Sequence, residues 1–126
     1  MQFLAVLAAF VATAVAQTSY TGIASVYEPN EHFPTVCGTK LTSTSRTVAL
    51  PFSVFNITQC GQIVAIENTA DQFGGEVTIG DLCWDCEGHN IKLTPAAFET
   101  YLNETNIAAG VKSFPADYVL GIFGRK

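Results

Sequence analysis

Positive charge is scarce in this chain. Six Lys and Arg stand against eleven Asp and Glu, two of the six are the terminal Arg125-Lys126, and the net charge is −5. A protein that grips nucleic acid by its phosphates needs a clustered basic face, and none exists here. The same scarcity removes attraction to an anionic membrane surface. Linkers, low-complexity tracts and internal repeats are also missing, which leaves a single domain. Strands do not alternate with long helices, so a doubly wound sheet is excluded.

What is present begins with an apolar leader. Met1 to Ala16 is apolar apart from Gln2 and Thr13 and ends Ala14-Val15-Ala16, a small-x-small cleavage signature. The run falls short of the roughly 20 residues that span a bilayer, so it reads as a signal peptide and the protein as secreted. Its only positive charge is the α-amino group. Cleavage leaves residues 17–126 as the mature domain, long enough to bury a core. Two sequons, Asn56-Ile57-Thr58 and Asn103-Glu104-Thr105, fit an extracellular glycoprotein.

Alternating apolar residues predict strands over 21–27, 62–67 and 76–82, with a short one over 47–50 and a last one over 118–123. Residues 30–44 are polar and turn-rich and predict a long loop. Pro51 to Phe55 predicts one helical turn, because proline suits a first helical position. Thr94-Pro95 marks a helix start in which threonine caps the free amides, with Ala97, Phe98, Tyr101 and Leu102 on one face. Five or six short strands with one clear helix fit a small closed β-barrel, since closure removes exposed edges.

Four cysteines in a secreted chain imply two disulfides with three possible connectivities. Cys83 and Cys86 are too close to staple distant segments by pairing with each other, so each is expected to reach Cys37 or Cys60. Such crosslinks contribute roughly 2–4 kcal/mol each. Cys83-x-x-Cys86 is also the spacing of redox dithiols, but those sit at helix N-termini, and the helix here starts eight residues later. A zinc site at Cys83, Cys86 and His89 lacks a second knuckle. The expectation is structural disulfides, no metal and no cofactor.

Chemistry concentrates where a strand ends on Asp81. Trp84 is the sole tryptophan, and its place between two half-cystines predicts partial exposure. Together with Tyr27 it is expected to offer a stacking face for sugar rings, with Asp85 beside it. Glycoside hydrolysis needs two carboxyl groups roughly 5 Å or 6.5–9.5 Å apart. Glu28, Asp85 and Glu87 are possible partners for Asp81, and none stands in a recognised hydrolase signature. Alternatively, Asp81 accepts backbone N–H groups and pins its loop. His32 and His89 read as surface residues.

Thr21-Gly22-Ile23-Ala24-Ser25-Val26-Tyr27 resembles the first strand of the double-psi β-barrel proteins of the expansin, barwin and rare-lipoprotein-A-like group. Cys37-Gly38-Thr39, Val48-Ala49-Leu50, Cys60-Gly61-Gln62, Gly80-Asp81-Leu82-Cys83 and Ile91-Lys92-Leu93-Thr94-Pro95-Ala96-Ala97-Phe98 are similar to successive signatures of its small fungal secreted members, the loosenin-like single domains. The resemblance covers the whole mature chain. It implies a six-stranded double-psi barrel with one or two short helices and a groove for extended polysaccharide. It also implies Cys37–Cys83 and Cys60–Cys86 pairing, and an acid at Asp81. Two blocks depart from the family. Asp-Arg-Cys-Pro-Gly-Cys has become Asp81-Leu82-Cys83-Trp84-Asp85-Cys86, and Asp-Ile-Asp-Leu has become Asn90-Ile91-Lys92-Leu93.

The function expected is therefore a monomeric, non-hydrolytic, expansin-like protein that binds cell-wall polysaccharide such as cellulose, chitin or a related glucan. The alternatives are a glycoside hydrolase or lytic transglycosylase using Asp81, and a protease inhibitor or secreted effector.

Overall fold

The computed structural model describes residues 18–120, so the apolar leader and residues 121–126, including the end of the last expected strand, lie outside the described residues. Six strands form the fold: β1 (Thr18–Val26), β2 (Thr47–Pro51), β3 (Ile63–Asn68), β4 (Phe73–Cys83), β5 (Ile91–Leu93) and β6 (Ser113–Leu120). They close into a barrel in the order β1-β5-β2-β4-β3-β6, with parallel β1/β5 and β2/β4 pairs and antiparallel pairs elsewhere. Two five-residue helices follow β5: α1 (Pro95–Glu99) and α2 (Glu104–Ala108). The fold is thus a mainly β, closed six-stranded barrel with two short helices.

The alternation read from the sequence fills the interior. Val48, Leu50, Val64, Ile66, Ile79, Ile91, Leu93 and Tyr118 are all buried. The helices cap one end of this core through Ala97, Phe98, Tyr101 and Leu102, all buried as the helical spacing predicted. Phe114 packs between Phe98 and Tyr101, with ring centroids 5.3 and 5.6 Å away. Burial of each such side chain contributes roughly 1.5–3 kcal/mol. Asn68 is the polar exception inside. Its Nδ2 donates to the Tyr101 carbonyl at 2.8 Å and its Oδ1 accepts from the Ala70 and Asp71 amides, so both its oxygen and its nitrogen are hydrogen-bonded.

Several local expectations change. The Thr94 hydroxyl does not cap α1; it donates to the Ser45 carbonyl and accepts from the Thr47 amide at 3.2 Å, tying the helix start to β2. Pro51 ends β2, and the predicted helical turn is a tight turn closed by Val54 and Phe55 amides on the Pro51 carbonyl. A second helix, α2, is started by Asn103, whose Oδ1 accepts from the Asn106 amide at 2.8 Å.

The cysteines pair as Cys37–Cys60 and Cys83–Cys86, in place of the Cys37–Cys83 and Cys60–Cys86 pairing that the resemblance implied. The physical reason is chain placement. The loop carrying Cys37 docks beside the start of β3, where Cys60 waits with its Cα 5.6 Å away. The chain turns back after β4 tightly enough to bring Cys86 within 5.5 Å of Cys83.

Candidate functional site

The site is made by an irregularity in β4. Strict alternation from Val77 and Ile79 would aim Asp81 into the core. The β2/β4 register instead runs Val48↔Ile79 and then Ala49↔Asp81, leaving Gly80 as the extra residue of a bulge. A bulge re-aims the side chains that follow it. Asp81 therefore leaves the core face and lies half-buried beside Ala49, which is itself covered, while Leu82 returns to the core beside Leu50. Only glycine fits the bulge, since a Cβ there would lie 2.8 Å from the Thr47 Cβ.

β4 also outruns its neighbour. Pairing with β3 ends at Ile63↔Thr78, so the edge of Gly80–Cys83 on that side is open. The loop around Thr35 fills it. The Thr35 hydroxyl donates to the Gly80 carbonyl at 2.7 Å, and the Val36 amide donates to Asp81 Oδ1 at 3.3 Å. Asp81 Oδ1 also accepts from the Leu82 amide at 2.8 Å. One carboxylate oxygen thus pins the loop, as one sequence reading expected. Oδ2 accepts no hydrogen bond from the described residues.

Cross-strand partners share a face, and the registers line up Ser25, Lys92, Ala49 and Asp81 across β1, β5, β2 and β4. Adjacent strands are about 4.8 Å apart, so Lys92 and Asp81 flank Ala49 at about twice that spacing. Lys92 Nζ reaches both oxygens of Asp85 at 3.0 Å. Its hydrogen bond, and then its charge, hold the Asp85 carboxyl below the usual carboxylate range. Two of the departures from the family blocks, Asp85 and Lys92, therefore meet as one ion pair. Asn90, another, accepts the Ile23 amide at 2.8 Å and fastens β5 to β1.

The parallel register places Pro51 beside Cys83, so the residues that leave both strands emerge together. They are Phe52 and Trp84, 60% and 67% exposed, packed edge to face with centroids 5.3 Å apart. Trp84 is exposed as expected, but the ring it meets is Phe52. Tyr27 is half-buried, and its hydroxyl is enclosed without a hydrogen-bond partner. Burial, and then the negative charge of Asp81, push its pKa up to about 12. It lies close enough to the acid to feel its charge, and it lines the helix-side cleft instead of pairing with Trp84. Phe52 was missed by sequence reasoning, although an aromatic directly after a strand-ending proline was a signal available to it.

Other candidates separate from this row. Glu28 lines a different cleft of about 430 Å³, between the end of β1 and the helices, with Tyr27, Phe98, Leu102 and Lys112. Glu87 is exposed in the turn after Cys86. Cys83, Asp85 and Cys86 bring three ligand atoms within 4.8 Å, but the disulfide removes the thiolates a metal would need. His89 is exposed, with its ring edge-on to Tyr20 at 4.7 Å. The sequon residues sit at helix starts: Asn56 precedes a single 3-10 turn (Ile57–Gln59), is exposed, and its Oδ1 accepts from Thr58, while Asn103 precedes α2 and is half-buried.

No family model matches the sequence, and no curated protein does. Solved structures do match. An expansin of Clavibacter michiganensis is 18% identical over 86% of this chain and 53% of its own, with a TM-score of 0.68. An aspartate-to-asparagine mutant of that expansin in complex with cellohexaose gives 18% identity, the same coverage and a TM-score of 0.67. A Streptomyces papain inhibitor is 20% identical over 82% of this chain and 94% of its own, with a TM-score of 0.64. The chain thus spans about half the length of the expansin and nearly all of the inhibitor. These likenesses show that the barrel has the double-psi fold that the expansin and the papain inhibitor share.

Proposed function

We propose that this is an extracellular, expansin-like protein that binds cell-wall polysaccharide across the row from Lys92 to Asp81, with Phe52 and Trp84 as its stacking face. The observation that carries the reading is the exposed Phe52–Trp84 pair just past the end of the strand that carries Asp81. Pyranose rings present apolar C–H faces to aromatic rings and hydroxyls to carboxylates, and this surface offers both partners. The expansin in complex with cellohexaose supports a glucan as the ligand class. A non-hydrolytic role fits the placement of the other acids, since Asp85 is held by Lys92 and Glu28 faces the helix-side cleft. The test is pull-down on insoluble cellulose and chitin. Wild type is retained and Trp84→Ala is lost; a wild type that stays in solution ends the proposal.

A second reading has its own support. The match takes in 94% of the papain inhibitor's own length but only 53% of the expansin's. Under that reading the Thr35–Val36 loop and the Phe52–Trp84 pair meet a protease. Papain inhibition at sub-micromolar concentration, without retention on polysaccharide, would favour it. Release of reducing ends from glucan or peptidoglycan, abolished by Asp81→Asn, would instead establish the enzyme reading.

A further inference from the structure

The two disulfides differ in what they hold. Cys37–Cys60 bridges positions 23 apart and ties the long loop to the start of β3. Cys83–Cys86 bridges positions only 3 apart, and its ring encloses nothing but Trp84 and Asp85. Those two residues supply one ring of the aromatic pair and the partner of Lys92. The crosslink therefore fixes a surface more than it fixes a fold.

Access is one-sided. Cys83 is buried at the end of β4, while Cys86 is half-exposed and lies outside every strand. The barrel closes through β1 to β6 without it. Cys83 Sγ also lies 3.4 Å from Asp85 Oδ1. In the disulfide this sulfur bears no hydrogen and the contact gains nothing. As a thiol it becomes a donor to the carboxylate, a bond that only the reduced state has.

We propose that Cys83–Cys86 is a redox-exchange site: a dithiol reductant opens it at Cys86, leaving Cys37–Cys60 and the barrel intact, and thereby releases Trp84 and Asp85 from the binding surface. A thiolate of the reductant attacks Cys86 Sγ and forms a mixed disulfide while Cys83 leaves and takes a proton. The second thiol of the reductant then displaces Cys86, which is protonated in turn. Two electrons and two protons pass to the cysteines, and the reductant departs as a disulfide. The effect on ligand rests on the polysaccharide reading above; the exchange itself does not.

The test uses the full oxidised chain in a dithiothreitol series, with iodoacetamide trapping and peptide mass mapping. Cys83 and Cys86 should label at about tenfold lower reductant than Cys37 and Cys60. Trp84, the sole tryptophan, sits between the two sulfurs, and a disulfide quenches a neighbouring indole. Its emission should rise over the same range while far-UV circular dichroism stays constant. Labelling of Cys37 and Cys60 first or simultaneously, or emission that rises only as the sheet signal is lost, overturns the proposal. The double variant Cys83→Ser, Cys86→Ser should emit like the reduced wild type and ignore reductant; a response to reductant counts against it. Cellulose retention should fall about tenfold on reduction, and equal retention refutes the release of the binding surface. If the oxidised chain binds neither cellulose nor chitin, the polysaccharide reading fails alone, and labelling order and emission still decide the exchange.

Discussion

The barrel carries two aromatic pairs with the same ring separation at different positions, one tilted at 35° and one edge to face at 77°. Phe98 and Phe114 have centroids 5.3 Å apart at 3% and 4% exposure, and Phe52 and Trp84 have the same separation at 60% and 67%. Ring contact alone does not separate core from site. The difference is what surrounds the rings. The first pair is sealed by Tyr101, Leu102 and α1, while the second stands where two parallel strands stop and the chain turns away. Apolar area left in water at such a place is unused for folding and available to a ligand.

Substitutions in each cluster should break the likeness, and the inner one should respond most. Phe114→Ala leaves a cavity against Phe98 and Tyr101 and should destabilise the fold by about 3–5 kcal/mol in denaturant unfolding. Gly80→Ala attacks the bulge that orients the outer site. Its Cβ meets Thr47 at 2.8 Å, and a loss of roughly 1–3 kcal/mol is expected by the same measurement, with weaker retention on polysaccharide. Phe52→Ala and Trp84→Ala should leave stability within about 0.5 kcal/mol. Each should cost about tenfold or more in retention on cellulose or chitin.

Titration sharpens the comparison at smaller scale. Tyr27 in the fold is pushed up to about 12 from its usual 10.0, so the folded state holds its proton longer than the unfolded state. The stability that Tyr27 contributes should be level below pH 10 and fall as the pH rises through the interval up to about 12, and Tyr101 and Tyr118, raised by burial, add to the fall in the same direction. Asp81→Asn removes one of the two causes and should lower the Tyr27 value, read from phenolate absorbance. An unchanged value would contradict the proximity of the two groups. Asp85 moves the opposite way. Lys92 holds it below 3.8, so the pair should persist through mildly acid pH and loosen only below that, as seen by carboxyl NMR.

Much of the fold was legible because period-two patterning encodes which side of a strand is buried. Val64 and Ile66 on β3 and Val77 and Ile79 on β4 follow that pattern, and Thr94-Pro95 marks the beginning of α1. The site was legible only in part. Asp81 and Trp84 could be named, but the partner of Trp84 depends on a parallel register that no local pattern carries. Gly80 inside a strand was a bulge signal, and it explains why an aspartate can follow Ile79 by two positions without entering the core. The disulfides failed for a similar reason, since spacing leaves three connectivities and the resemblance selected another. Asn103 with Glu104 behind it carried the signal for α2, which was read only as a sequon.

The place of β1 in the barrel bears on how the chain assembles as it is made. β1 is the first of the six barrel strands to be synthesised, and both its neighbours come late: Ala24 pairs with Ile91 and Phe114, and Thr18 with Leu120. Until the ribosome has delivered nearly the whole domain, β1 has no native edge to join. Strand pairs of such long sequence separation make closure slow, because distant segments must meet before either is rewarded. Among the described residues β3–β4 is the one antiparallel pair of strands adjacent in sequence and is free to form early, and β6, which pairs with both β1 and β3, closes the barrel.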